Sequence, residues 1–139
     1  MFATVIHPQI EVKTAEARNI LPKNIPLKDA ITQWSNVGSL VHALHTSDYN
    51  LLGESLQDVI VEPYRSQLIP HFNTIKTESL KAGALGVGIS GSGPSIFALS
   101  KGKENAEVVA KTMKNVYSKT NINFNVYVSK INTQGMNIL

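Results

Sequence analysis

Residues 83–100 read Gly-Ala-Leu-Gly-Val-Gly-Ile-Ser-Gly-Ser-Gly-Pro-Ser-Ile-Phe-Ala-Leu-Ser. An apolar run is followed by a knot of small residues and then by a second apolar run. Five of the nine glycines of the chain lie here. Glycine admits backbone conformations closed to other residues and lets a second segment come close. Two runs of strand length on either side of Gly91, Ser92, Gly93, Pro94 and Ser95 predict a hairpin with a rigid loop. Every other element has to be fitted around that hairpin.

Gly86, Gly88 and Gly91 spell G-x-G-x-x-G. A dinucleotide site needs a helix after that pattern, so that the pyrophosphate meets a helix N-terminus. Here Pro94-Ser-Ile-Phe-Ala-Leu follows, which reads as strand. No Gly-Lys-Ser/Thr tripeptide is present, so a Walker A loop is excluded as well. A glycine loop between two strands can still hold an anion through its N–H groups, or buttress another loop that does.

The flanking sequence supplies the rest of a sheet. Residues 2–6 are β-branched or aromatic and stop at His7-Pro8, and Ile10 to Lys13 alternates as a short extension. Thr14 to Leu21 reads as a helix, capped by Thr14 and ended by Pro22. Residues 27–46 form the clearest amphipathic helix. Ile31, Trp34, Val37, Val41 and Leu44 fall three and four apart, which predicts one buried stripe, and Gly38 predicts close packing. Further helices are expected over 51–61, 64–69 and 71–81, with Gly83 at the C-terminal cap position of the last. Strands at 85–90 and 95–99, a helix at 104–120 and a strand at 123–131 complete the chain.

The order predicts a ferredoxin-like split β-α-β-β-α-β fold of the α+β class. Its sheet would be antiparallel and four-stranded, with extra helices in the first crossover and helices on one face. The 139 residues suffice for a single domain, residues 1–139.

Composition narrows the function classes. Net charge is +3 with no run of like charge, so no nucleic-acid partner is predicted. There is no cysteine, which removes disulfides and sulfur-based metal sites. No apolar run approaches the ~20 residues of a membrane helix, and no basic-then-apolar leader opens the chain. A cytoplasmic location is the expectation.

Only two of the thirteen basic residues are arginine, Arg18 and Arg65. Lysine suffices for solubility, whereas arginine presents a planar fork that matches a carboxylate. Thr14 and Arg18 share a helix face at a spacing of four. His42 and His45 lie three apart, but no H-E-x-x-H pattern accompanies them, and packing or surface roles are expected. Asp58 and Glu62 could form a carboxylate pair. A helix face that holds Arg65 in place is the simpler reading.

Three segments together resemble one family. His7-Pro8 with Thr14-Ala-Glu-Ala-Arg18-Asn-Ile-Leu-Pro22, then Asp58-Val-Ile-Val-Glu-Pro-Tyr-Arg65, then Gly88-Ile-Ser-Gly-Ser-Gly-Pro-Ser95 resemble, in order and spacing, the homoserine kinases of the GHMP small-molecule kinase superfamily. The resemblance implies transfer of the ATP γ-phosphoryl group to the hydroxyl of L-homoserine, with ATP and Mg²⁺ as cofactors of the full enzyme. It implies that Arg18 and Arg65 grip the substrate carboxylate with Thr14 beside them. Gly88, Ser90, Gly91, Ser92, Gly93, Pro94 and Ser95 would support the phosphate loop.

The chain departs from that family in one respect. The phosphate loop, Pro-x-x-x-Gly-Leu-Gly-Ser-Ser, is missing, as are the acidic and asparagine residues placed near the substrate hydroxyl and Mg²⁺. The expectation is a C-terminal domain, in line with a strand that starts at Met1. Its partner would be the N-terminal domain of the same enzyme, and no catalytic residue or metal site is expected within this chain. Alone it would bind no cofactor and transfer no phosphoryl group. A homodimer stays open. The alternative is a ferredoxin-like ligand-binding, regulatory or dimerisation module without chemistry.

Overall fold

The computed structural model describes residues 1–135. Four strands form one antiparallel sheet: β1 (Phe2–Pro8), β2 (Gly86–Ile89), β3 (Ile96–Ser100) and β4 (Phe124–Lys130). Their spatial order is β2-β3-β1-β4. The split β-α-β-β-α-β expectation holds. In the first crossover lie α1 (Thr14–Asn19), α2 (Leu27–Thr46), α3 (Tyr49–Ser55), α4 (Glu62–Arg65), a 3-10 turn (Ser66–Leu68) and α5 (Phe72–Lys81). The second crossover is α6 (Lys103–Tyr117).

Residues opposite one another across an antiparallel ladder share a face. Ile6 faces Ile96 and Val126, and Thr4 faces Ala98 and Val128. This face packs on α5 and α6. Phe72, Ile75, Val109, Met113 and Tyr117 join Ile6, Val87 and Ile96 in the core. Two polar groups are satisfied inside it. Thr4 Oγ1 donates to Ala106 O at 3.1 Å, and the Tyr117 hydroxyl donates to Pro70 O at 2.8 Å. Burial pushes the Tyr117 phenol up to about 12.

Helical segments occupy more than one face. A Cβ on Gly86 would lie 2.5 Å from Leu56, on the face that Gly86 shares with Leu99. Only glycine lets the chain after α3 sit against β2 there. That face is covered at the β2 end. Toward β4 it bears Tyr127, an exposed side chain opposite Val5.

The largest correction concerns α2. Its bounds are as expected, but Ile31, Trp34, Val37, Val41 and Leu44 do not form a buried stripe. Trp34 is 66% and Val41 63% exposed, and the others are at least half exposed. The periodicity marks an apolar face, and among the described residues nothing covers it. Full burial of such a side chain stabilises by about 1.5–3 kcal/mol, so the face forgoes several kcal/mol. Gly38 likewise has open space, with nothing within 4 Å of a Cβ built on it.

Smaller departures have local causes. Thr14 is the first helical residue, and Lys13 occupies the N-cap without a side-chain bond. The Ile10–Lys13 extension is not strand, because β4 ends its ladder at Phe124 opposite Pro8. The helix expected over 51–61 is α3, ending at Ser55. Asp58 Oδ1 accepts from the N–H groups of Ile60 and Val61, and this turn stops helix continuation.

Candidate functional site

The glycine knot folds as a tight turn between β2 and β3. Gly93 N donates to Ser90 O at 3.1 Å and Ser90 N donates to Ser95 O at 2.8 Å. Gly91 and Gly93 both have positive φ, +63° and +85°, where other residues are strained. A Cβ at Gly93 would also press on Ile69 at 3.0 Å. The turn is thus held from below by the core. Two of its N–H groups are used inside the hairpin, which suits a buttress better than a phosphate cradle.

Arg65 joins this turn to α1. Its Nε donates to Ala17 O at 3.1 Å, and its Nη1 donates to Gly91 O at 3.0 Å. Ala17 is buried and precedes Arg18. Arg65 therefore brings the Thr14–Arg18 helix and the glycine turn to one place. Arg18 and Thr14 are exposed, and neither side chain has a hydrogen-bond partner among the described residues. Nη2 of Arg65 has none either.

The turn that carries Arg65 is anchored from beneath. Lys76 of α5 forms a partly buried ion pair with Glu62, the first residue of α4. Glu62 is thus held by Lys76, where the sequence suggested a direct role in holding Arg65. Desolvation raises the Glu62 carboxyl above its ordinary value; the Lys76 ammonium opposes that shift and Asp58 adds to it. Asp58 is engaged in its own turn, so the two carboxylates do not act as a pair.

A cleft of about 220 Å³ lies between α2, the segment after α3 and the β2–β3 turn. Gln33, Asn36, Asp58, Glu62, Gly88 and Phe97 are among its walls. Arg65 touches it through Gly91, while Thr14 and Arg18 do not line it. At the same end, His7 Nδ1 and Ser95 Oγ are 2.8 Å apart. Residue spacing alone points to no partner for His7. Its place opposite Ser95 follows only from the β1–β3 register. His42 and His45 are exposed on α2. Among the described residues no three His, Asp or Glu side chains cluster as metal ligands, and no helix is long and apolar enough to cross a membrane.

Residues 40–119 match the family model described as GHMP kinases C terminal. The chain belongs to the GHMP kinase C-terminal domain family. Homoserine kinase from Chlorobaculum tepidum is 46% identical over the whole chain, which spans 44% of that relative. Homoserine kinase from Pyrococcus abyssi is 41% identical over 91% of the chain and 42% of its own length. The crystal structure of homoserine kinase from Cytophaga hutchinsonii superposes with a TM-score of 0.93 at 55% identity, covering 96% of this chain and 42% of that one. The GHMP C-terminal domain thus spans less than half the length of the curated relatives it matches. The matched residues hold the end of α2, β2, the glycine turn, β3 and α6, and the fold is the α+β fold expected.

Proposed function

We infer that this chain is the substrate-side, C-terminal domain of a homoserine kinase, an enzyme that moves the ATP γ-phosphoryl group to the hydroxyl of L-homoserine and yields O-phospho-L-homoserine. The observation that carries this reading is Arg65, tied to Ala17 O and Gly91 O. One guanidinium unites the helix bearing Thr14 and Arg18 with the turn assigned to phosphate-loop support. A substrate gripped there by its carboxylate would be held at a fixed distance from that turn. Phosphoryl transfer depends mainly on such positioning and on electrostatic stabilisation.

Nη2 of Arg65 and the Arg18 guanidinium are the donors for the carboxylate, and Thr14 Oγ1 lies on the Arg18 face of α1. Gly88 to Ser95 buttress the loop that would hold the ATP phosphates, and His7 fixes Ser95 at its base. By resemblance to the homoserine kinases, Mg²⁺ and the catalytic groups are assigned to the part of the enzyme that this chain does not span. That N-terminal domain is its partner, and the work is that of a soluble cytoplasmic enzyme of threonine biosynthesis.

Calorimetry of homoserine binding to the full-length enzyme tests the clamp. Arg18→Ala and Arg65→Ala should each weaken binding about ten- to a hundredfold, the worth of a hydrogen bond to a charged group. Unchanged affinity in both variants would overturn it.

A further inference from the structure

The outward face of α2 is an apolar surface that the site does not use. Leu27, Ile31, Trp34, Val37, Val41 and Leu44 are all half exposed or more. No lysine, arginine, aspartate or glutamate occurs from Ala30 to Ser47. A helix at a protein surface ordinarily carries its charges on the outer side. The inner side of α2 is already occupied. Ala43 is buried, Asn36 Nδ2 donates to Gln57 O, and Gln33 Oε1 accepts from Val59 N. The helix is therefore apolar on its open side too. Gly38 sits within the stripe with clear space before it, so another backbone can approach closely.

Two further observations say what covers the face. Gln33, Asn36, Val37 and Leu40 line the cleft, so the stripe and the cleft share an edge. The chain spans only 44% and 42% of the homoserine kinases it matches, leaving more than half of each unaccounted for. That remainder is large enough for a domain of its own. From Leu27 to Leu44 the stripe runs about 26 Å at 1.5 Å per residue, room for another helix to lie along it.

We propose that the α2 stripe is the seat of the part of a homoserine kinase that this chain does not span, and that docking there closes the cleft from the α2 side. The inference rests on the homoserine kinase reading above. The occupant presents an apolar face, without a charge opposite Trp34 or Val41. Uncharged apolar patches of this kind mark interaction surfaces.

Trp34 is the only tryptophan of the chain, so its emission reports on the face directly. The domain would be joined, in one polypeptide, to the part of the Cytophaga hutchinsonii enzyme it does not cover. The Trp34 signal is isolated by difference from Trp34→Phe. Acrylamide should quench Trp34 freely in the 139-residue chain, and about threefold less or better in the joined polypeptide. Val41→Asp, and separately Ile31→Lys, should restore quenching and lower phosphohomoserine formation about tenfold or more, as at an interface hot spot. Circular dichroism of the same variants in the 139-residue chain checks that α2 still folds.

Equal quenching of Trp34 in both contexts overturns the proposal. So does a 139-residue dimer that Val41→Asp splits while Trp34 stays quenchable in the joined polypeptide, since that assigns the stripe to a second copy. The two readings fail separately. A joined polypeptide that shields Trp34 but makes no phosphohomoserine sinks the kinase reading alone. One that makes the product with Trp34 still open to acrylamide sinks the docking alone.

Discussion

Arg65 commits Nε and one N–H of Nη1 to backbone carbonyls, so only part of its fork is free for a ligand. Its scarcity singles it out in the sequence, because just two arginines occur among thirteen basic residues. What it holds was not legible there. Ala17 O and Gly91 O are main-chain groups, 48 and 26 residues away, and side-chain patterns say nothing about carbonyls. Glu62 was legible as a carboxylate but not as the partner of Lys76, which comes from another helix. A consequence can be measured. Burial raises the Glu62 carboxyl above 4.5, so the folded state holds that proton more tightly than the unfolded chain does. Its contribution to stability is full below pH 4.5 and is lost as pH rises through the folded value. Urea denaturation across that range should show wild type losing stability relative to Glu62→Gln, which cannot ionise. A difference independent of pH would refute this.

Among the elements, the long periodic ones were the most legible. In α6, Ala106, Val109, Ala110 and Met113 recur three and four apart and are buried, and Val116 is half-buried. In α2 the same periodicity identified the apolar face but not what meets it, because period carries no information about neighbours. Residues 56–61 misled for another reason. Leu56, Val59, Ile60 and Val61 look helical, yet the Asp58 carboxylate offers the N–H groups of Ile60 and Val61 a competing partner, and Gln33 Oε1 of α2 takes that of Val59. Leu56 instead packs on bare backbone at Gly86. Gly86→Ala should therefore destabilise the domain by about 1–3 kcal/mol, the usual cost of overpacking, as read from the urea midpoint. The alanine Cβ would meet the Leu56 Cβ, which is too near the main chain to swing away. An unchanged midpoint would show that this contact is slack.

At the scale of the whole molecule, the clearest expectation is a negative one. The purified 139-residue chain should form no phosphohomoserine from ATP and homoserine, because the phosphate-loop pattern Pro-x-x-x-Gly-Leu-Gly-Ser-Ser does not occur in its sequence. Product above the no-enzyme control would contradict that. A second property of the whole follows from the sheet order. β1 is an inner strand, flanked by β3 and β4, and its ladder with β4 runs from Phe2↔Lys130 to Pro8↔Phe124. Within this domain β1 is synthesised well before β4, so its second edge stays uncovered until β4 is made. Contacts of such sequence separation slow folding. Until residue 130 is free, β1 has an open row of N–H and C=O groups, the kind of edge on which unfinished chains stick to one another.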